Sequence, residues 1–471
     1  MPQSLLHGRP ARLISCQLRR RVSLYKNFRL ILFGLLLAAC QQSKPPTIAE
    51  VPFEPDSGNI AIRCGKLIDG LADAPVTDTT VIIRGGRITE LVPGHLRPPA
   101  SLPLLDLREH TCLPGLIDTH THISLLPEDA DDYRIYLRRT RDDSRELARH
   151  NAEITLLAGF TTIRNVADYL AWIDQDTRNR VRAGEVAGPR IQAAGFYLTI
   201  PHGGGDLYIP GVDDSEVPDY YRMGIARGVD QFRAKTQLLV DGGADLIKVI
   251  ASGAVFAWGG IPGEREMTPE EIAAVVKVAH AAGLRVSAHA HGAQSIKDAI
   301  LAGVDSIEHA SLADDEAIAL AAEYGVAFSM DVYNGTYTAE VGPQRGWPEE
   351  FLRKNDETTE MQRIVFEKSY AAGVPILYGT DAGVAPHGKN GRQFEVMVER
   401  GMAPMDAIRS ATSVAARHMD WQADVGAIET GRFGDLIAVR GDPLEDIAIL
   451  QDVRVVVKGG LIFKLVTLPS P

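Results

Sequence analysis

Three things are scarce in this 471-residue chain, and each absence removes a class of protein. Positive charge is the first: 49 Lys and Arg face 61 Asp and Glu, a formal net charge of −12, and the basic residues are scattered. A nucleic-acid binder needs a clustered basic face, so no nucleic-acid partner is expected. A long apolar run near the start is the second. The stretch "LILFGLLLAA", residues 30–39, has ten residues, against the ~20 that a helix needs to cross a bilayer. The third is a glycine-rich phosphate fingerprint. None opens any of the helical stretches below, which weakens the case for a doubly wound open sheet. The rest is an ordinary globular composition, 45% hydrophobic and 6% aromatic, with enough apolar residues for a large core.

Residues 1–40 read as a leader. Arg19, Arg20, Arg21, Lys26 and Arg29 precede the apolar run, and small residues precede Cys40. That order describes a secretory signal. The ending "LAAC" resembles the lipobox of bacterial lipoproteins, in which cleavage leaves a lipidated Cys40 as the first residue. An exported lipoprotein, held to a membrane through lipid on Cys40 and facing the periplasm or cell surface, is the expectation. The basic part is long for such a signal, which suits a true start downstream of Met1. Removing residues 1–39 leaves 42 basic against 61 acidic residues, a net charge of −19. Such a surface would not adhere to anionic lipid, so the acyl chains would be the attachment. Of the four cysteines, Cys16 lies in the leader and Cys40 is the lipid acceptor. Cys64 and Cys112 remain; they could pair in an oxidising compartment, and the sequence leaves that open.

Residues 41–57 are polar and Pro-rich and read as a tether. Short β-like runs follow, with "RGGR" as a hairpin turn, and the same style returns in "DLIAVRG" and "DVRVVVKGGLIFKLV". Strands at both ends flanking a different middle suggest a small β-sandwich domain built from residues 58–112 and 421–466. Residues 113–420 alternate apolar strands with helical patterns. Strands are expected near Leu113–His122, Thr161–Val166, Arg190–Thr199, Leu246–Ala251, Arg285–His291, Ser306–Ala310, Ala327–Tyr333 and Ile376–Gly383. Between them, "TPEEIAAVVKVAHAAG" has Thr268 as N-cap, Pro269 at the first helical position and Gly283 at the C-terminus. Eight strands alternating with helices fit an α/β chain of the (β/α)8 TIM-barrel type.

In a barrel, chemistry is expected at the C-terminal ends of the strands. The first strand ends in His120 and His122, which face one side because they are two residues apart. The fourth contains Lys248, the fifth ends in His289 and His291, the sixth in His309, and the eighth in Asp381. Imidazole and carboxylate are the usual ligands of zinc and similar divalent ions. Lys248, flanked by Leu246, Ile247, Val249 and Ile250, is odd because an unpaired ammonium is costly to bury. A salt bridge to Asp245 or Asp381 is the plain explanation. The sharper one is that burial keeps the amine neutral, so that it reacts with carbon dioxide to give a carbamate that bridges two metals. The loop "SGAVFAWGGIPGEREMTPEE" after Lys248 serves equally as a lid or as plain surface.

With these residues in place, the chain resembles the amidohydrolase superfamily, and most closely its imidazolonepropionase-related branch of prolidase-like and ochratoxinase-like enzymes. The resemblance rests on "PGLIDTHTH", Lys248, the later histidines, "GTDAG" and the closing "GAIETGRFGDLIAVRGDPLEDI", with Gly434 where Ala is commoner. It implies two divalent metal ions, zinc by preference. His120, His122 and Asp381 would hold one, His289 and His309 the other, and N-carboxylated Lys248 would bridge them. It implies substrate contacts at His291 and at His202, with Tyr333 a further candidate. Asp381 would relay a proton while metal-bound hydroxide cleaves the amide of a small carboxylate-bearing substrate, such as an Xaa-Pro or other dipeptide or an N-acyl amino acid. The alternatives are a deaminase, a cyclic-amide or ester hydrolase of the same superfamily, or a non-catalytic surface binding lipoprotein. A homo-oligomer is left open.

Overall fold

The computed structural model describes residues 57–95, 98–99 and 101–466; the leader, Cys40 and all of the tether before Ser57 lie outside them. Strands from near both ends of the described residues share one sheet. Strands β1 (Ile60–Leu67), β2 (Val76–Arg84), β3 (Arg87–Pro93) and β4 (Leu104–Pro114) form one mixed sheet with three strands from the C-terminal end. The long middle segment, described next, supplies eight shorter strands, β5 to β12, so the C-terminal three are β13 (Leu436–Val439), β14 (Val455–Lys458) and β15 (Leu461–Leu465). The order is β15-β14-β13-β4-β1-β2-β3. The seven strands form one hydrogen-bonded ladder whose two ends pack together: Ile60, Val81, Ile83 and Ile88 share a buried core with Leu436, Val455 and Val457. The Gly-Gly turns behave as their sequence predicts: Gly85 and Gly86, then Gly459 and Gly460, all have positive φ, the conformation that a two-residue hairpin requires.

The middle is an α/β segment of parallel sheets. Its strands are β5 (Leu116–Thr121), β6 (Phe160–Asn165), β7 (Arg190–Ala193), β8 (Leu246–Ile250), β9 (Arg285–Gly292), β10 (Ser306–Leu312), β11 (Ala327–Ser329) and β12 (Ile376–Leu377). They pair in parallel as a three-stranded sheet, β5-β6-β7, and a five-stranded sheet, β12-β11-β10-β9-β8. Helices alternate with them. The helix Pro269–Ala281 starts at Thr268, whose side chain accepts from Glu271 N, with Pro269 in its first turn and Gly283 at φ +74° just beyond its end. Backbone bonds also run between the two sheets. On one side Leu198 N donates to Lys248 O and Ile250 N to Leu198 O, both at 2.9 Å. On the other, Thr119 N donates to Tyr378 O at 2.8 Å and Asp381 N to His120 O at 2.8 Å.

Gly115 is the joint between the terminal sheet and β5. A Cβ there would lie 2.0 Å from Thr161 Oγ1, so only glycine fits. Beside it, Arg190 pairs with Asp435 at 2.8 Å and lies over the Phe433 ring, 3.5 Å from its centroid. Among the described residues, no helix is long and apolar enough to cross a membrane.

Cys64 in β1 and Cys112 in β4 form a disulfide, with their Cα atoms 5.9 Å apart and 48 positions between them in sequence. Cross-linking a loop of that length restricts the unfolded chain, which corresponds to about 4 kcal/mol in the chain-entropy account. Replacing both cysteines by serine is expected to lower stability by roughly 2–4 kcal/mol, read by urea unfolding against the oxidised wild type.

Candidate metal centre

The polar residues singled out on the short strands meet around one cavity of about 130 Å³. His120, His122, Lys248, His289, His309 and Asp381 all line it, and so does His291. Three groups have ligand atoms within 4.8 Å of one another: His120, His122 and Asp381; His289, His291 and His309; and His309, Asp331 and Asp381. His309 and Asp381 therefore connect the two ends of the cluster. Both have left-handed backbones, φ +71° and +55°. Non-glycine residues keep that conformation only where surrounding structure enforces it.

Each imidazole is oriented by a partner on its other side. His120 Nδ1 lies 2.9 Å from Glu308 Oε2, while its Nε2 is 3.5 Å from Asp381. His122 Nδ1 donates to Ala167 O at 2.5 Å, and its Nε2 lies 3.1 Å from Asp381 Oδ1. His309 Nδ1 donates to Asp331 at 2.8 Å, and His291 Nδ1 faces Ser311 Oγ at 2.8 Å. At His120, His122 and His309, where the partner is a carbonyl or carboxylate oxygen, this fixes the tautomer and leaves the other nitrogen as a lone-pair donor. Burial reinforces the neutral form. It lowers His289 and His291 well below the ordinary imidazole range and His120 to about 4, with the Lys248 charge adding to the effect. His309 is different: burial opposes its charge, but the Asp331 carboxylate prevails and raises it.

Lys248 is fully buried, and its Nζ has no hydrogen-bond partner among the described residues. The salt bridge to Asp245 or Asp381 is not formed; Asp245 pairs instead with Arg178 at 2.6 Å. Burial brings the Lys248 amine down to about 8, despite the opposing pull of Glu308. An unpartnered amine among convergent imidazoles and carboxylates, all buried, is a donor set that fits divalent metal.

Two other expected contacts lie elsewhere. His202 sits in a left-handed loop position, φ +58°, with its side chain 54% exposed and 3.6 Å from Asp214. Its neighbours Gly204 and Gly205 line the cavity and it does not. Tyr333 also misses the cavity. Strand β11 ends at Ser329 and a helix, Asn334–Arg345, begins beside Tyr333, so the alternation that would have aimed Tyr333 inward has stopped. Its hydroxyl accepts from Arg392 at 3.1 Å in a separate groove. The inward residue is the next one, Asn334. Sequence reading also missed the carboxylates Glu308 and Asp331. The clue at Glu308 was the same as at Lys248, a charge inside an apolar strand.

Part of the cavity wall is aromatic. Tyr133, Tyr136, Tyr169 and Tyr197 line it, and successive rings meet edge to face with centroids 5.3–6.4 Å apart. The loop after Lys248 supplies Ala254, Val255 and Phe256. It is anchored rather than loose: fully buried Lys354 donates to Ala257 O at 2.7 Å and pairs with Glu350, which accepts from Gly259 N at 2.9 Å. Glu266 accepts from Gly204 N with both oxygens, at 3.0 and 2.9 Å, and so ties this loop to the glycine loop.

Parallel strands that present clustered imidazoles and carboxylates at their C-terminal ends define a hydrolase with a metal-binding site on an α/β frame. Comparison with known proteins agrees. The sequence profile of the amidohydrolase family matches residues 111–462. Ochratoxinase from Aspergillus niger is 32% identical over 371 residues, covering 75% of this chain and 75% of that protein. Among solved structures, a Xaa-Pro dipeptidase with bound methionine in its active site superposes with a TM-score of 0.78 at 34% identity, over 86% of this chain and 100% of the other. A prolidase complexed with N-methylphosphonate-L-proline gives a TM-score of 0.80 at 28% identity, over 86% and 100%. The chain belongs to the amidohydrolase family. It is a hydrolase acting on carbon–nitrogen bonds.

Burial raises the Glu266 carboxyl to about 7, against the lowering effect of the Gly204 N–H. An acid that binds its proton more tightly when folded stabilises the fold at low pH and loses that contribution as pH rises through its folded pKa. The stability of the wild type relative to Glu266→Gln is therefore expected to fall between about pH 4.5 and 7, read by urea unfolding at pH 5 and pH 8.

Proposed function

We propose that this protein is a binuclear, zinc-dependent amidohydrolase that cleaves the amide bond of small carboxylate-bearing substrates: dipeptides, Xaa-Pro among them, or N-acyl amino acids. The observation that carries the reading is one cavity lined by two imidazole groups together with the buried Lys248, whose Nζ has no hydrogen-bond partner among the described residues. In this reading β5 to β12 close as a (β/α)8 barrel, supported by the backbone bonds that join the two parallel sheets on both sides. His120, His122 and Asp381 would hold one ion and His289 and His309 the other, with Lys248 N-carboxylated between them. Bound divalent ions supply Lewis acidity and lower the pKa of a coordinated water toward neutrality.

The chain's own residues do the remaining work. Asp381, fixed at Oδ2 by Asn334 and facing His122 through Oδ1, takes the proton from the attacking water and returns it to the departing nitrogen. Glu308 and Asp331 keep His120 and His309 in the tautomer that exposes a lone pair. His291, whose Nδ1 accepts from the Ser311 hydroxyl in this reading, keeps an Nε2–H to donate to the substrate carboxylate. The tyrosine wall excludes water from one side of the cavity. For location we propose export as a lipoprotein attached through Cys40, supported by the lipobox and by a disulfide of the kind that persists in oxidising compartments.

The test couples metal analysis to hydrolysis of Xaa-Pro, other dipeptides and N-acyl amino acids. Metal bound without turnover across that set would sink the substrate assignment. Chelation is expected to abolish activity and re-addition of zinc to restore it. Lys248→Ala is expected to lose bound metal and to lower kcat/KM at least about a hundredfold; full metal content and full activity would remove the bridging role.

A further inference from the structure

Three polar atoms on cavity-lining side chains are buried and lack a hydrogen-bonded partner among the described residues: His120 Nδ1, Lys248 Nζ and Asn334 Oδ1. The first faces Glu308 Oε2 at 2.9 Å. The second belongs to the proposed metal bridge. The third is unaccounted for. Asn334 is 5% exposed, and a buried carbonyl oxygen is seldom left without a donor.

Its orientation is not arbitrary. Asn334 Nδ2 donates to Asp381 Oδ2 at 2.9 Å and lies 3.3 Å from Asp331 Oδ2. Both partners are carboxylates, which when ionised can only accept, so the nitrogen must face them and the oxygen must point elsewhere. The backbone holds the residue there as well, with Asn334 N donating to Asp331 O at 2.9 Å at the start of the helix Asn334–Arg345. A side chain locked on its donor side and unpaired on its acceptor side is built to receive a hydrogen bond from what enters the cavity.

We infer that Asn334 Oδ1 accepts a hydrogen bond from the N–H of the scissile amide, so that the enzyme favours secondary amides over Xaa-Pro and other tertiary amides. The placement names the donor. Asn334 lines the cavity and its amide is bonded directly to Asp381, the residue that would serve the departing nitrogen, so the scissile amide is the part of a substrate that would come nearest to it. A secondary amide brings an N–H to this acceptor; a proline nitrogen or an N-methylated one leaves it unpaired. This inference rests on the amidohydrolase reading above and narrows its substrate class.

The test is a matched pair, an N-acyl amino acid and its N-methyl counterpart, with kcat/KM measured on the metal-loaded wild type and on Asn334→Ala. The wild type is expected to favour the N–H substrate, and the variant to shrink that ratio by about tenfold, the size of one hydrogen bond to a buried acceptor. Loss of the Asn334 bonds to Asp381 and Asp331 slows both substrates alike and cancels in the ratio. An unchanged ratio in a variant that retains its metal would overturn the inference; a variant that loses metal because Asp381 is freed is read, like one that fails to fold, from the wild type alone. Should Asn334→Ala fail to fold, the wild type decides alone: cleavage of the N-methyl substrate as efficiently as its partner overturns the inference. No cleavage of either substrate, nor of any other amide, sinks the amidohydrolase reading itself.

Discussion

The seam between β5 and the chain that follows β12 is the constraint on which the site depends. Asp118, fully buried, accepts from His120 N at 3.1 Å, Thr380 N at 3.1 Å, Thr380 Oγ1 at 2.5 Å and Asn390 Nδ2 at 2.7 Å. Together with the Asp381 N to His120 O bond, these contacts hold two segments from opposite ends of the middle region in one register. His120 and His122 then meet Asp381 without any freedom in the backbone. The His309 group approaches from β10, with its ring centroid 4.9 Å from that of His120. A metal site needs its ligands held to a fraction of an ångström, and here that accuracy comes from the Asp118 carboxylate together with the Asp381 N to His120 O bond.

The same architecture explains why so much of the site was legible in the sequence. Short buried strands put alternate residues on one face, so "HTH" and "HAH" announced their own geometry, and a lysine in an apolar strand was anomalous without reference to any structure. The order of strands in the middle region was readable too, because each is a short buried run between helical stretches, although β7, β11 and β12 end earlier than their apolar runs suggest. Legibility stopped where alternation stopped. At Tyr333 the chain has already left β11 and is entering a helix, so the inward position slips by one residue to Asn334. At His202 a left-handed residue turns the side chain toward Asp214. Glu308 and Asp331 went unnoticed because their partners, His120 and Gln362 among them, are distant in sequence. The pairing of Cys64 with Cys112 depended on β1 and β4 being neighbours, which spacing alone does not determine.

Below the cavity, the buried charges are arranged so that none depends on solvent. Arg164 donates to Glu308 at 2.8 Å, to Thr119 O at 2.6 Å and to Ser306 at 3.0 Å, and Glu308 also accepts from Ser287 at 2.6 Å. Such a network is costly to desolvate and is justified by the geometry it enforces. It gives the imidazoles above it a rigid polar floor, while the tyrosines give the opposite side a rigid apolar wall.

The pairing of β4 with β13 has a consequence for how the protein comes into being. β4 leads through Gly115 directly into the strand that carries His120, yet its antiparallel neighbour, matched as Pro114 with Leu436, is made only near the end of synthesis. One flank of β4 therefore stays unpaired while almost the whole of the metal-binding segment emerges. Closure of the terminal sheet is a late, long-range event, of the kind that slows folding. A chain cut short before β13 carries every candidate metal ligand and still lacks the strand that completes its first layer.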